Sequence, residues 1–404
     1  MAERIGIMGG SFNPIHNGHI SMARAAMIKA KLDRVLMLPS GIPPHKTGIA
    51  PSEDRWRMVC AAVAQEPGLE PCRMELDRAG TTYTVDTLSS LKADYPKAEL
   101  FFIIGADTLM ELKNWRSYET VLRLCTFLVC PRAWSVTPEE LTQERRRLTA
   151  LGGSFQTIDM DLQPVSSTEI RAAISSDEPT PLLPVPVREY CRIRGLYGCV
   201  RQMTQAEEWL DRLFADLSRK RFAHTLSVAY TARKLAKIHH EDVRKAETAA
   251  LLHDCAKCMP LREMQRISRE HALTADQEVF ESGNLLHSLA GAYIAAWVYG
   301  VDDPEILSAI ANHTTGKPGM TRLDMIVYLA DKIEPTRESY PLLDKVRMMA
   351  NLSLEKALMT SLDGTVSHVQ KGGRRVHPQT LETLSWLRQQ YGGRESPKTK
   401  SKED

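Results

Sequence analysis

Residues 9–19, GGSFNPIHNGH, combine the residue types that can bind a nucleoside polyphosphate. Gly9 and Gly10 let the backbone turn tightly and approach a phosphate, and the start of the following helix supplies N–H groups and a positive dipole end. His16 and His19 are three residues apart and can point at one polyphosphate, where imidazole donors stabilise the extra negative charge of a transition state. No protein nucleophile is needed, because a substrate phosphate can attack the α-phosphorus of ATP in line.

Two further segments offer groups for the same polyphosphate. Lys46, in the sequence PPHK, can reach the triphosphate as a point charge. The segment SSTEIR opens a predicted helix with a capping box between its first serine and its glutamate. Ser167, Thr168 and Arg171 are then available to hold the β and γ phosphates.

The second half of the chain contains histidines and aspartates in an order that resembles the ligand pattern of the HD superfamily. An adjacent His–Asp pair is flanked by a distant upstream histidine and a distant downstream aspartate, and two more histidines lie in between. The candidate ligands are His224, His253, Asp254, His287, His313 and Asp331. Six ligands can hold two metal ions with Asp254 as the bridge, and such a pair polarises phosphoryl oxygens and generates hydroxide near neutral pH. Mixed imidazole and carboxylate ligands suit iron, manganese or zinc better than calcium or magnesium, and Lys257 and Arg337 are candidates to hold substrate phosphates.

Composition restricts the class of protein. At 404 residues the chain is long for one core, since cores stop growing near about 250–300 residues, so two domains are expected. A net charge of +2 argues against a dedicated nucleic-acid-binding protein, and we expect no nucleic-acid partner. The first residues lack a signal core and no apolar run approaches a membrane span, so we expect a cytoplasmic protein without membrane contact, with free cysteine thiols. The oligomeric state stays open.

The order of predicted elements divides the chain into two parts. Apolar strands alternate with helices in the first part, which predicts a parallel sheet covered by helices on both faces, with ligands beyond the carboxyl ends of the strands. The predicted strands span residues 4–8, 34–39, 100–105 and 126–130. Beyond about residue 205 only amphipathic helical segments follow, which predicts an all-α domain. The expected boundaries are 1–200 for the first domain, 204–391 for the second and 392–404 for a disordered tail.

Five motifs of the first part, in this order, resemble bacterial nicotinate-mononucleotide adenylyltransferases over about residues 4–198. They are GGSFNPIHNGH, PPHK, TTYTVDTL, IIGADTLMELKNW and SSTEIR. The resemblance implies a Rossmann-like nucleotidyltransferase fold and a step of NAD biosynthesis. ATP, with Mg²⁺, and nicotinate mononucleotide would give nicotinate adenine dinucleotide and pyrophosphate.

The resemblance also implies roles for individual residues. Trp115 would stack on the pyridine ring, with Tyr83 and Thr84 lining the nicotinate pocket, and Asp107 would lie near the adenosine. The implied catalytic residues are His16, His19, Lys46 and Arg171, and the implied nucleotide-binding residues also include Gly9, Gly10, Ser11, Phe12, Ser167 and Thr168. Many relatives have Asp at the position of Asn13, a difference from which we expect little consequence.

The second part carries its own resemblance. The ordered elements RFAH, LLHDCAK, LLH, NHTTGKPGM and YLADKIEPTR, over about residues 205–350, resemble the YqeK-type HD hydrolases. This implies symmetrical cleavage of diadenosine tetraphosphate (Ap4A) into two ADP at a di-iron centre, with Lys257 in the catalytic machinery. Two alternatives stay open: the domain hydrolyses another nucleotide, or it is a nucleotide-sensing regulatory module.

Overall fold

The computed structural model describes residues 2–41, 48–130, 136–160, 167–176, 180–200, 205–373 and 375–392. The chain folds as two compact units, Met1–Thr204 and Gln205–Asp404. Lys46, Ser166 and the predicted disordered tail beyond Gly392 lie outside the described residues. None of the helices in the described ranges is both long and apolar enough to cross a membrane.

The first unit is built on a parallel sheet with the strand order β3-β2-β1-β4-β5-β6. Its strands are β1 Arg4–Gly10, β2 Arg34–Pro39, β3 Leu69–Pro71, β4 Glu99–Gly105, β5 Thr126–Cys130 and β6 Ser154–Thr157. Its helices are α1 Asn17–Lys29, α2 Ser52–Val63, α3 Thr84–Asp94, α4 Ala106–Glu111, α5 Tyr118–Leu124, α6 Pro138–Ala150, α7 Ser167–Ser175 and α8 Val185–Arg194.

The two central strands of this sheet position the first candidate site. β1 pairs in parallel with both β2 and β4, and its apolar residues are buried, as a strand covered on both faces requires. Because parallel strands end at the same edge of a sheet, residues 9–19 and 106–111 start from neighbouring points. The architecture confirms the prediction of a Rossmann-like α/β domain.

Two strands were not predicted from the sequence. β3 is three residues long and ends in a proline, and β6 has no fully buried residue. Both lie at the edges of the sheet, where a strand needs no continuous apolar run because one side faces solvent.

The second unit is helical throughout its described residues, which confirms the all-α prediction. Its helices are α9 Ala206–Asp216, α10 Arg219–Ile238, α11 Val243–Leu252, α12 Leu261–His271, α13 Gln277–Glu281, α14 Gly283–Trp297, α15 Pro304–Asn312, α16 Arg322–Ile333, α17 Pro341–Ala350, α18 Leu354–Lys371 and α19 Pro378–Tyr391. The interior is formed by apolar residues of α10, α11, α15 and α16, and most of the candidate metal ligands lie in these helices or directly after them.

Two glycines in the connection after α15, Gly316 and Gly319, differ in how closely α19 packs against them. Their φ angles are +70° and +73°, but only at Gly316 would a Cβ atom meet another residue, 2.7 Å from Thr383 Cγ2. Thr383 is fully buried and its hydroxyl donates to the Gln379 carbonyl, so it cannot easily move away. We expect Gly316→Ala to lower the free energy of unfolding by about 1–3 kcal/mol more than Gly319→Ala, because both variants share the backbone strain and only one is overpacked. Calorimetric unfolding of the full chain measures the difference, and equal losses would contradict the packing argument.

Candidate functional site

Six candidate metal ligands converge in the interior of the second unit. His224 lies in α10, His253 and Asp254 directly follow α11, His287 lies in α14, His313 directly follows α15, and Asp331 lies near the end of α16. All six are buried, with at most 7% of their surface exposed. Polar groups this deeply buried must be paired or must bind an ion, since burial without a partner is costly.

Asp254 lies at the centre of this cluster and faces a different pair of imidazoles with each oxygen. Its Oδ2 lies 3.3 Å from His253 Nε2 and 3.9 Å from His224 Nε2. Its Oδ1 lies 3.1 Å from His287 Nε2 and 3.5 Å from His313 Nε2. The carboxylate therefore belongs to two three-ligand groups, each compact enough to hold one ion.

Asp331 adds a second carboxylate to one of these groups. Its Oδ1 lies 3.1 Å from His224 Nε2 and 3.9 Å from His253 Nε2. One side of Asp254 thus has two imidazoles and a further carboxylate, and the other side has two imidazoles.

Hydrogen bonds on the opposite ring nitrogen orient three of the imidazoles. Each Nδ1 faces a backbone carbonyl three or four residues earlier in the chain. The carbonyls and their distances from Nδ1 are Ala250 at 2.6 Å for His253, Ile310 at 2.7 Å for His313 and Gly283 at 3.2 Å for His287. Because a carbonyl can only accept, Nδ1 carries the proton and Nε2 presents its lone pair to the cluster.

Glu334 does the same for the fourth imidazole. Its Oε1 lies 3.2 Å from His224 Nδ1, while its Oε2 accepts from the Thr336 backbone N–H and hydroxyl, each at 2.7 Å. Glu334 was not predicted from the sequence. Its position three residues after Asp331, on the same helical face, was the available signal.

The donor set fits a divalent metal ion. His224 Nε2 and His253 Nε2 are buried, and the carboxylate oxygens of Asp331 and Asp254 that face them offer no proton. His287 Nε2 and His313 Nε2 face each other at 3.2 Å, although both rings carry their proton on Nδ1. Two lone pairs at this separation repel unless a cation lies between or beside them.

The charge states of the cluster also suit metal binding. Burial alone would raise the pKa of Asp254, but the imidazoles of His253 and His287 outweigh it and hold that pKa well below its usual value. Burial lowers the pKa of His253, and it lowers the pKa of His287 to about 4. Near neutral pH, Asp254 is therefore ionised and the imidazoles of His253 and His287 are neutral, as metal ligands must be. Burial lowers the pKa of His224, but the carboxylates of Asp331 and Glu334 outweigh it and raise that pKa, so metal binding at His224 competes with a proton.

Four cationic side chains surround the ligands. Lys257 and Arg337 were predicted from the sequence, and Arg221 and Lys332 were not. The closest contacts are 2.7 Å from Arg221 Nη1 to Asp254 Oδ2, 3.4 Å from Lys257 Nζ to His287 Nε2, 3.0 Å from Lys332 Nζ to Asp331 Oδ2 and 3.1 Å from Arg337 Nη2 to Asp331 Oδ1. Arg221 lies three residues before His224 in α10, so the spacing along the helix was again the available signal.

In the first unit, the structure brings His16 and His19 together where β1 ends and α1 begins. The two rings stack with their centroids 3.7 Å apart, and the His16 backbone N–H donates to His19 Nδ1 at 3.2 Å. Phe12, with a φ of 43°, packs its ring against His19 at 5.0 Å. The two imidazoles therefore occupy one point beyond the carboxyl end of a central strand.

Arg171 links the start of α7 to this segment. Its Nη1 donates to the Asn13 carbonyl at 3.0 Å and its Nη2 to Thr168 Oγ1 at 3.1 Å. Ser167 and Thr168 open α7, so the predicted hydroxyl donors lie near residues 9–19. Lys46 lies outside the described residues.

Tyr83 and Trp115 lie in neighbouring parts of the same unit. The guanidinium of Arg116 lies 4.6 Å from the centre of the Tyr83 ring, which brings the residue after Trp115 to the start of α3. Trp115 packs edge-on against Phe102 at 5.9 Å, and a Cβ atom at Gly9 would lie 3.5 Å from the same Phe102 ring. The predicted pyridine-binding side chain and the predicted phosphate-binding backbone thus flank one aromatic residue. Thr84 begins α3 and Asp107 lies in the first turn of α4.

Comparison with known proteins divides the chain in the same order. A cytidylyltransferase-like family model matches residues 7–173 and an HD-domain model matches residues 221–336. A Mycoplasma pneumoniae protein named "Probable nicotinate-nucleotide adenylyltransferase/Ap4A hydrolase" is 30% identical over 332 residues, which cover 82% of this chain and 88% of that protein.

Two further proteins are each similar to one half of this chain. A Moorella thermoacetica protein named "Probable nicotinate-nucleotide adenylyltransferase" is 40% identical over 199 residues, 48% of this chain and 91% of its own. A crystal structure of a "predicted HD superfamily hydrolase involved in NAD metabolism" from Clostridium acetobutylicum is 40% identical, covers 45% of this chain and 95% of its own, and has a TM-score of 0.44.

A divalent ion should stabilise the second unit. At a manganese(II) concentration about 100 times its Kd, we expect the free energy of unfolding to rise by about 2.7 kcal/mol, because the ion binds the folded ligand set and not the unfolded chain. Calorimetry of the full chain with manganese(II) and with EDTA measures this. Asp254→Ala should abolish the effect, and Asp363→Ala, which removes an exposed carboxylate paired with Arg388, should preserve it. An equal response from both variants would place the ion elsewhere.

Proposed function

We propose two reactions for this chain, which belongs to the nicotinate-nucleotide adenylyltransferase/Ap4A hydrolase family. In the first unit, ATP and nicotinate mononucleotide react to give nicotinate adenine dinucleotide and pyrophosphate. The observation that supports this most directly is the stacked pair His16 and His19 at the end of β1, with the start of α7 bonded to the same segment through Arg171.

The chemistry needs positioning rather than a protein nucleophile. The 5′-phosphate of nicotinate mononucleotide attacks the α-phosphorus of ATP, the new P–O bond forms, and the bond to the β-phosphate breaks as pyrophosphate leaves. Mg²⁺ accompanies the triphosphate and balances its charge. His16 and His19 donate to the phosphoryl oxygens as charge builds up on them, and Ser167, Thr168 and Arg171 hold the leaving phosphates.

Loss of either imidazole should slow this reaction. We expect His16→Ala and His19→Ala each to lower kcat by about 10²–10³-fold, because each variant removes a donor to the transition state. His271→Ala, which changes an exposed histidine of the second unit, should leave the rate unchanged. Chromatography of the products from ATP, Mg²⁺ and nicotinate mononucleotide measures the dinucleotide. A parent protein that makes none, or that prefers phosphopantetheine, would refute the proposed reaction.

In the second unit, we propose that two metal ions bind with Asp254 between them and that the site hydrolyses Ap4A into two ADP. One ion would be held by His224, His253 and Asp331, and the other by His287 and His313. Iron suits this mixture of imidazole and carboxylate ligands. When bound, the ions polarise phosphoryl oxygens and lower the pKa of water.

We choose Ap4A as the substrate because its negative charge matches the cations of the site and because relatives in the family are named Ap4A hydrolases. The tetraphosphate chain of Ap4A carries several negative charges, and four cations lie around the ligand cluster. Symmetrical cleavage breaks the P–O bond between the second and third phosphates, and water supplies the oxygen and protons that make two ADP. Burial lowers the pKa of Lys257, yet Asp254 beside it favours the charged ammonium, so this side chain is positioned to hold a phosphate oxygen.

Asp254→Ala should abolish hydrolysis, because both proposed ions lose a ligand. Lys257→Met should lower kcat/KM for Ap4A by roughly 10²-fold, because it removes a charge-assisted contact with a phosphate. Lys245→Met is the matched control, since Lys245 pairs with Asp303 on the surface of the same unit. Chromatography of the iron-loaded full chain with Ap4A identifies the products. Two ADP from the parent and from Lys245→Met is the expected result. ATP plus AMP, or turnover of another nucleotide only, would assign a different hydrolase activity, and no turnover of any nucleotide would favour a sensor.

A further inference from the structure

A buried arginine connects the loops of the adenylyltransferase site. Arg55 lies in α2 with 2% of its surface exposed. Burial lowers the pKa of Arg55, but a guanidinium stays charged at any physiological pH. An enclosed cation of this kind must find acceptors to replace water.

The acceptors are four backbone carbonyls. Nε of Arg55 donates to Ala50 at 3.1 Å, Nη1 donates to Ser11 at 3.0 Å and to Ser40 at 2.8 Å, and Nη2 donates to Gly41 at 3.1 Å. Ser11 belongs to the connection after β1, whereas the other three belong to the connection after β2. One side chain therefore ties the polyphosphate segment to both described ends of the neighbouring connection.

Asn13 makes a second link between the same regions. Its Oδ1 accepts from the Ala50 backbone N–H at 3.0 Å and from the Tyr197 hydroxyl at 2.8 Å. Its own carbonyl accepts from Arg171. Within the described part of the chain its amide nitrogen has no hydrogen-bond partner. Only acceptor atoms of Asn13 are used, and a carboxylate could make the same two side-chain bonds.

We propose that Arg55 and Asn13 are positioning residues of the adenylyltransferase: they fix residues 9–19 to Ser40, Gly41 and Ala50, to the start of α7 and to Tyr197. The inference rests on the proposed reaction of this unit. Neither residue needs to touch the substrates. They act by holding the backbone that carries His16 and His19, and a displacement of about 1 Å at such groups can cost about 10²-fold in rate.

Lysine cannot replace Arg55 in this role. An ammonium is a point charge with three donors and cannot span four carbonyls on two connections. The variant Arg55→Lys therefore leaves buried carbonyls unpaired, and the connections must separate to reach water.

The Asn13 series tests the proposal without disturbing a buried charge. We expect Asn13→Ala to lower kcat for the dinucleotide by about 10–10²-fold with little change in KM for ATP, and Asn13→Asp to restore kcat to within about threefold of the parent. Tyr197→Phe removes one of the two donors to Asn13, and we expect it to lower kcat by less than Asn13→Ala.

Tyr190→Phe is the control for ordinary loss of stability. Its side chain is fully buried and its hydroxyl donates to Asp54 in α2 at 2.6 Å, which lies outside residues 9–19. We expect Tyr190→Phe to lower Tm and to leave kcat unchanged at temperatures well below Tm. Equal losses of kcat for Tyr190→Phe and Tyr197→Phe, or an Asn13→Ala variant with parental kcat, would overturn the proposal.

Hydrogen exchange gives a readout that does not depend on activity. In Asn13→Ala and Arg55→Lys we expect the amide of Ala50 and the amides of residues 9–19 to exchange faster than in the parent, and in Tyr190→Phe to exchange as in the parent. Unchanged exchange in Asn13→Ala would show that the loops are held by other contacts. If the parent makes no dinucleotide, the proposed reaction fails, while the exchange data still decide whether Arg55 and Asn13 fix these loops.

Discussion

Burial of the Asp254 carboxylate is the constraint on which the second unit depends. An ionised group in a helical interior is tolerated only when it is surrounded by partners, and here four imidazoles face its two oxygens. Each imidazole comes from a different helix or from the residue after it. Helices α10 and α14 must therefore pass beside Asp254, and α11 and α15 must end beside it. The imidazoles are in turn oriented by carbonyls and by Glu334. Of the cations around them, Arg221 lies in α10 and Lys332 in α16, whereas Lys257 and Arg337 lie in the connections after α11 and α16. Packing in this unit is therefore arranged around a charge rather than around apolar residues alone.

The first unit also encloses charged side chains, and one of them is the Arg55 cation. Four backbone carbonyls replace the water that the guanidinium loses, and those carbonyls belong to the connections that follow β1 and β2. A parallel sheet brings the carboxyl ends of its strands together, but it does not determine how the following loops are shaped. In this unit the loops obtain their shape from side chains that lie far away in the sequence. The candidate site of the first unit therefore forms only when several distant segments of the chain are in contact.

Features that lie within one helix or strand could be predicted from the sequence, whereas contacts between distant segments could not. The six candidate metal ligands were visible because each lies in a recognisable helical segment, and the central strands were visible as apolar runs. Glu334 and Arg221 follow from helical spacing once Asp331 and His224 are known, whereas β3 and β6 lack any apolar pattern because they are edge strands. Neither the burial of Arg55 nor its carbonyl partners could be predicted from the sequence. A charged residue in an amphipathic helix normally faces solvent, and nothing within α2 indicates that the carbonyls of Ser11 and Gly41 will lie across from it.

The groups proposed to bind phosphate in the first unit and metal ions in the second unit are fixed over different distances in the chain. In the second unit the orienting carbonyls of His253, His287 and His313 lie three or four residues before them, so these three ligands are aligned locally, whereas His224 is oriented by Glu334 over 110 positions. In the first unit Arg55 reaches Ser11 over 44 positions and Arg171 reaches Asn13 over 158. Alignment there exists only when the whole unit is folded. Substitutions that loosen long-range contacts should accordingly reduce adenylyl transfer before they reduce folding, whereas the metal cluster is sensitive mainly to loss of its own ligands.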